Sequence, residues 1–366
     1  MKLVIFGLSV SSSWGNGHAT LWRGLIKALG ARGHRVVFFE RDVPYYSSHR
    51  DLTELTGGEL VLYSSWAGIW ERAAKELRDA DAGMVTSYCP DGQEASILVL
   101  DSRATVKSFY DLDAPVTLRR IREGEVVSYL PPEGLAGFDI VLSYSGGTAL
   151  TELRARLGAR HVAALYGSVD PAVHRPVAPD ARYRCDVSYL GTYAEDRQAA
   201  LETLLIEPAR RLPDRKFLMG GAKYPAEFPW TGNIFFVQHV PPADHPAFYC
   251  SSRLTVNATR TAMADMGYCP SGRLFEAAAC GVPVLSDDWP GLDQFFEPGL
   301  EILVARTTAH AMDAIAMSDE TLRRIGRAAR ERTLATHTSE VRAMELENIL
   351  DAARKAPAER ASNMEV

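Results

Sequence analysis

Cysteine is scarce in this chain: five residues among 366, namely Cys89, Cys185, Cys250, Cys269 and Cys280. They are widely spaced, odd in number and form no C-x-x-C pair, which argues against a disulfide framework and against a structural zinc site. A reducing, cytoplasmic setting is the expectation. No stretch of about 18 consecutive apolar residues occurs, so no integral membrane segment is expected and only peripheral association is left open. The opening MKLVIFGLSV has one Lys and a short apolar run, but no small-x-small cleavage pattern follows it; it reads as a first strand, not a leader. Positive charge is not in excess. Lys and Arg total 40 against 46 Asp and Glu, a net charge of −6, and neither half is basic. Nucleic acid is therefore not an expected partner, nor is a membrane held by charge alone. There is no H-E-x-x-H and no Cys/His cluster, and the only D-x-D of interest is Asp111/Asp113, so no metal ligands and no cofactor are assigned.

What is present is a long alternation of strand and helix. The length suits two domains. Apolar runs are expected as strands at 2–10, 34–39, 59–63, 82–87, 105–110, 139–144 and 161–166, with a helix over 19–31 and another over 95–102 behind a capping box, Asp91 to Glu94. A second series is expected at 186–190, 216–219, 234–237, 254–257, 283–286 and 301–304. Its helices start near Ala194, His245, Gly272 and Gly291, and two more cover 319–333 and 339–356. The fold class is α/β, with two Rossmann-like doubly wound domains facing a cleft. The expected boundaries are 1–168 for the first domain, 169–184 for a proline-containing linker, 185–338 for the second domain and 339–366 for a C-terminal helix.

Four segments carry candidate chemistry. Gly15 and Gly17 lie in a turn between the first strand and first helix, where backbone can approach a ligand and helix N–H groups can face an anion. Thr20 stands where a dinucleotide fingerprint needs a third Gly. His18, with an imidazole titrating near neutrality, is a candidate general base. In the second half, Ser271-Gly272-Arg273 opens a helix and Glu276 lies one turn on. Glu276 can take two ribose hydroxyls, while Arg273 and the first amides can meet phosphate. Gly191 to Arg197, Gly220-Gly221-Ala222-Lys223 and His239-Val240 follow successive strands of the same domain, where ligands of α/β sheets bind. Asp113 reads as a helix cap, with Asp111 alternatively meeting acceptor hydroxyls.

With these residues the chain resembles the GT-B glycosyltransferases, most closely those grouped with the spore maturation protein CgeB and more distantly the retaining enzymes of the glycogen-synthase kind. The carriers are the Gly-rich first turn, Gly167-Ser-Val-Asp170-Pro with Arg175-Pro176, the run from Gly191 to Arg197, and above all Arg273-Leu-Phe-Glu276-Ala-Ala-Ala-Cys-Gly-Val-Pro283. The resemblance implies a nucleotide diphosphate-sugar donor (UDP-, GDP- or dTDP-linked) and a glycan or small-molecule acceptor. It implies metal-independent transfer with retention, and a last helix returning to the first domain. It also implies that Glu276 binds the ribose and Arg197 the diphosphate. Tyr268 stands where retaining members often carry a second Glu, which leaves Arg260, Asp265 and Arg273 as candidates for that contact. Two other readings stay open: a nucleotide-sugar epimerase, and a non-catalytic module that binds nucleotide or glycan.

Overall fold

The structure, a computed structural model, describes residues 1–364, with side chains through Lys355; Glu365 and Val366 of the expected C-terminal segment lie outside the described residues. The chain forms two compact units, residues 1–166 together with 339–366, and residues 167–338. The first holds seven parallel strands: β1 (Lys2–Gly7), β2 (Arg35–Arg41), β3 (Glu59–Tyr63), β4 (Ala82–Thr86), β5 (Val106–Asp111), β6 (Ile140–Ser143) and β7 (Val162–Ala164). Their order is β3-β2-β1-β4-β5-β6-β7. The second holds β8 (Cys185–Leu190), β9 (Phe217–Gly221), β10 (Ile234–Gln238), β11 (Ser252–Asn257), β12 (Val284–Asp287) and β13 (Leu303–Ala305), in the order β10-β9-β8-β11-β12-β13. Each order runs outward from its first strand and then reverses. The reversal falls between β1 and β4 in one unit and between β8 and β11 in the other. Such reversals are where open α/β sheets take ligands.

Helices on both faces make the central strands apolar throughout. Leu3, Val4, Ile5 and Phe6 of β1 have no exposure at all. In the first unit Trp22, Leu25 and Leu29 of the helix His18–Ala31 pack with Ile5, Phe38 and Tyr110. Ala343, Leu346 and Leu350 join that same core from the final helix, Ser339–Met364, at the spacing of one helical face. In the second unit Val187, Tyr189, Met219, Leu254, Val256 and Leu285 form the centre. Among the described residues no helix is long and apolar enough to cross a membrane.

Several local expectations differ. Asp91 precedes the helix Gly92–Asp101 but does not cap it; its carboxylate accepts Arg41 Nη1–H at 2.7 Å and the Tyr63 hydroxyl at 2.9 Å. The helix expected near Gly291 is a single 3-10 turn, Leu292–Gln294. The helices Trp66–Leu77, Thr148–Leu157 and Thr308–Ala316 were not singled out by periodicity. The helical stretch after Arg197 widens into a π turn at Glu202–Ile206, just before Pro208. Proline has no N–H for the regular ladder and its ring crowds the preceding turn, so the widening is its local consequence. The stretch 169–184, expected as a linker, packs on the second unit: Asp180 N–H bonds Ser251 Oγ at 2.8 Å and His174 is only 4% exposed.

Candidate functional site

In the first unit, the loop after β1 is organised by a carboxylate at the end of β2. Glu40, fully buried, accepts hydrogen bonds from Ser9 Oγ (2.9 Å), Val10 N (2.8 Å), Ser11 N (2.9 Å) and Ser11 Oγ (2.6 Å). Asn16 Oδ1 accepts His18 N–H at 3.1 Å, so the loop itself caps the first helix. These bonds use amides that an anion would need. Gly15 has φ of 59°, and a Cβ there would stand 2.9 Å from the Tyr45 hydroxyl. Gly17, by contrast, has φ of −67° and open space around it; its conformation does not require glycine.

His18 Nε2 lies 3.8 Å from Asp113 Oδ2, and its ring centroid is 6.1 Å from that of Tyr88. Asp113 occupies the cap position of the helix Ala114–Arg122, yet its side chain makes no cap bond. It is turned towards the imidazole instead. Tyr88 holds φ of 65°, an uncommon conformation for a bulky residue. Burial raises its phenol, and the Asp113 carboxylate adds to this. Asp111 has no exposure, so it does not meet an acceptor hydroxyl at the surface. Its Oδ1 accepts Asp113 N–H at 3.0 Å, its Oδ2 has no partner, and burial pushes its carboxyl up to about 7. His18, Tyr88 and Asp113 nevertheless gather beyond the ends of the neighbouring strands β1, β4 and β5.

In the second unit, three arginines meet at the ends of β8 and β11. Arg273, on the helix Gly272–Ala279, donates to Asn257 Oδ1 and Ala258 O, both at 3.3 Å, and its guanidinium lies 5.2 Å from the Tyr189 ring centroid. Gly191 makes this possible: a Cβ there would fall 2.7 Å from Arg273 Nη2 and 2.7 Å from the Tyr189 hydroxyl. Arg197 donates from Nη1 to Thr192 O at 2.8 Å, and Arg260 pairs with Asp196 at 3.0 Å. The Nε atoms of Arg197 and Arg273 and the Tyr189 hydroxyl are buried without hydrogen-bond partners. Burial pulls Arg197 below its ordinary value and the charges of Arg273 and Arg260 pull it further, against Tyr189 and Asp196. Guanidinium stays protonated regardless. Arg197 and Arg273 therefore hold positive charge with donor atoms that the protein's own groups leave open, which suits an anion. Ser271 caps the helix by position with no side-chain bond, so the first-turn amides of Ser271, Gly272 and Arg273 face the same end.

The other expected groups sort differently. Gly220 and Gly221 are filled by protein: a Cβ on Gly220 would lie 2.8 Å from Val240 Cγ2, and one on Gly221 2.0 Å from Gly191 O. They let strand ends pack closely. Lys223 is exposed, with φ of 65°. Its neighbour Tyr224, in tilted and edge-on contact with Tyr193, Phe228 and Phe236 at 5.1–5.5 Å, donates to Gly191 O at 3.0 Å and so fixes the loop over Arg273. His239 has φ of 50° and bonds Gly221 O at 2.7 Å, and Val240 is buried. Tyr268 packs against Gly291, where a Cβ would come within 2.4 Å of its ring.

Glu276 lies one turn beyond Arg273. Its Oε2 accepts the Tyr249 hydroxyl at 3.3 Å and stands 3.7 Å from His245 Nδ1, while Oε1 is 3.9 Å from His174 Nε2. Burial opposes its ionisation, but His174, His245 and Arg273 outweigh burial and hold the carboxyl below its ordinary value. Sequence reasoning missed Tyr189, Tyr249, His174 and Glu40. A charged residue closing the apolar run of β2 was a usable signal for Glu40. The tyrosines look like core residues of their elements, and His174 sits in the stretch taken as linker.

Residues 197–348 match the family model described as glycosyl transferase-like. No curated protein matches the sequence. Among solved structures, the chain is similar to a sucrose-phosphate synthase from Thermosynechococcus elongatus, at 17% identity over 97% of this chain and 100% of that one, with a TM-score of 0.72. It is also similar to Anabaena HepE in complex with UDP and glucose, at 14% identity over 96% and 99% of the two chains and a TM-score of 0.65. An α-glucosyltransferase in complex with UDP and a 13-mer DNA gives 12% identity, 96% and 99% coverage and a TM-score of 0.66. These likenesses define the class by fold: two parallel sheets flanked by helices, the GT-B architecture of glycosyltransferases.

Proposed function

We propose that the protein is a glycosyltransferase that moves a sugar from a UDP-linked donor to an acceptor hydroxyl, within the CgeB-like group, in a reducing compartment that suits its five free cysteines. The observation that carries this is the pair Arg197 and Arg273, whose buried Nε atoms have no hydrogen-bond partner, beside the Asp196-paired Arg260 at the reversal point of the second sheet. In the reaction, the acceptor oxygen bonds the anomeric carbon as the bond to the diphosphate breaks, and the electron pair leaves on UDP. Arg197 and Arg273, with the first amides of the helix Gly272–Ala279, would stabilise that growing charge, so no metal ion is invoked for this step. Glu276 would accept ribose hydroxyls. UDP is chosen because the HepE and α-glucosyltransferase structures hold it.

Retention follows from the resemblance to the glycogen-synthase kind, with the diphosphate itself taking the acceptor proton. One observation favours inversion: His18 is paired with Asp113 at 3.8 Å, an arrangement in which the carboxylate orients an imidazole that takes the proton directly. Calorimetric titration with UDP, GDP, dTDP and ADP tests the donor site. UDP is expected to bind, and Glu276→Ala to weaken it by about 1.5–3 kcal/mol. Folded protein that binds none of the four would sink the reading. Proton NMR of the newly formed product then gives the anomeric configuration, and donor interconversion without acceptor would reveal an epimerase instead.

A further inference from the structure

His174, His245 and Glu276 present three ligand-type atoms to one another, all within 4.8 Å. Their hydrogen bonding is unusual. His245 donates Nε2–H to the Val240 carbonyl at 3.1 Å, which leaves Nδ1 as a lone pair. That lone pair has no partner and faces Glu276 Oε2, itself an acceptor, at 3.7 Å. His174 is 4% exposed, and neither of its ring nitrogens has a hydrogen-bond partner; Nε2 is the one turned to Glu276 Oε1, at 3.9 Å. Two acceptors, His245 Nδ1 and Glu276 Oε2, thus face each other inside the protein, with His174 Nε2 unpartnered beside them. Such an arrangement is costly unless something electron-poor joins them.

We propose that His174 Nε2, His245 Nδ1 and the Glu276 carboxylate form a binding site for a divalent transition-metal ion of the zinc type. Two imidazoles and one carboxylate are the ligand chemistry of such ions and not of calcium or magnesium. Ligand atoms around a tetrahedral zinc stand about 3.4 Å apart, so the separations of 3.7 and 3.9 Å close with shifts of about half an ångström or less, and the widest, within 4.8 Å, with at most about 1.4 Å. The outer partners are those a metal site uses. The Val240 carbonyl fixes the His245 tautomer, and the Tyr249 hydroxyl holds Glu276 Oε2 at 3.3 Å. The ligands come from the helix His245–Cys250, the helix Gly272–Ala279 and a turn in which His174 N–H bonds Asp170 O at 2.9 Å. The site stands on this geometry and not on the nucleotide reading, although it shares Glu276 with it.

The test is a Co²⁺ titration of the full chain after chelator treatment, followed by visible absorption. One Co²⁺ per chain is expected, with tetrahedral d–d bands and no sulfur charge-transfer band. Affinity should fall about 100-fold or more in both His174→Ala and Glu276→Gln. Far-UV circular dichroism checks that each variant is folded, and Glu276→Gln, nearly isosteric, carries the test if His174→Ala is not. No binding, binding unchanged in Glu276→Gln, or a sulfur band that moves the ion to Cys250 or another thiol would overturn the proposal. UDP titration in the presence of EDTA reads the donor site alone, so the failure of either reading is seen separately.

Discussion

Arg197 carries its charge where burial and two neighbouring arginines make charge costly. A residue kept for stability would not be placed so. In Arg197→Met the unfavourable charge is removed, and the bond to Thr192 O and the weaker attraction to Asp196 are lost, so thermal stability should be unchanged or higher. UDP affinity should fall by about 1.5–3 kcal/mol, the range for a hydrogen bond to a charged group. Melting curves and calorimetry on one preparation check both; a melting point several degrees lower would instead make Arg197 structural. Gly191→Ala is the companion case, because its methyl would meet Arg273 Nη2 at 2.7 Å. Its UDP affinity should fall at least about tenfold in a chain that still folds. At this scale, Arg273 and Glu276 were legible because their relation is local, one helical turn apart. His174 and Tyr189 were not, since what they touch lies on other elements and no spacing records it.

An element is held by its ends as much as by its apolar face. The strands were legible to within a few residues because burial on both faces writes continuous apolar runs, as in Leu3 to Phe6. The ends were less so. Asp91 and Asp113 both stand at helix starts, where capping is the default role of Asp. The structure gives one to Arg41 and Tyr63 and sets the other beside His18. Local pattern names the position but not the competing partner across the fold. Glu40 is the clearest such partner, since it holds four donors of the loop after β1. Glu40→Ala leaves those donors buried and unsatisfied and should destabilise the first unit by about 3 kcal/mol or more. Urea unfolding checks this, and a loss below about 1 kcal/mol would show that the loop finds other partners.

At the scale of the molecule, the first unit is built from the two ends of the chain. Its core contains Leu346, fully buried on a helix that begins only at Ser339. The apolar spacing of that helix was readable; which core receives it is decided by chain path, which the resemblance implied and spacing did not. Leu346→Ala should cost the first unit about 2–5 kcal/mol. Amide exchange should then quicken in β1 and in the helix His18–Ala31 but not in β8 or β11. Next to Leu346, Glu347 ties the helix down electrostatically: it accepts from Arg32 Nε at 2.5 Å and Nη2 at 2.7 Å, and its Oε1 lies 2.5 Å from His34 Nε2. The Arg32 bonds, then the His34 contact, hold its carboxyl at about 2, below its ordinary 4.5. A carboxyl lowered by folding stabilises the fold fully above its unfolded value and loses that contribution as pH falls through the folded one. Arg32 is 38% exposed, so solvent screens the pair and its contribution at neutral pH is small. Glu347→Gln should therefore be less stable than wild type at pH 6, with the gap closing between about pH 4.5 and pH 2. Urea unfolding of the two proteins across that range decides it, and a gap that stays constant with pH would mean the loss comes from packing and not from the carboxylate.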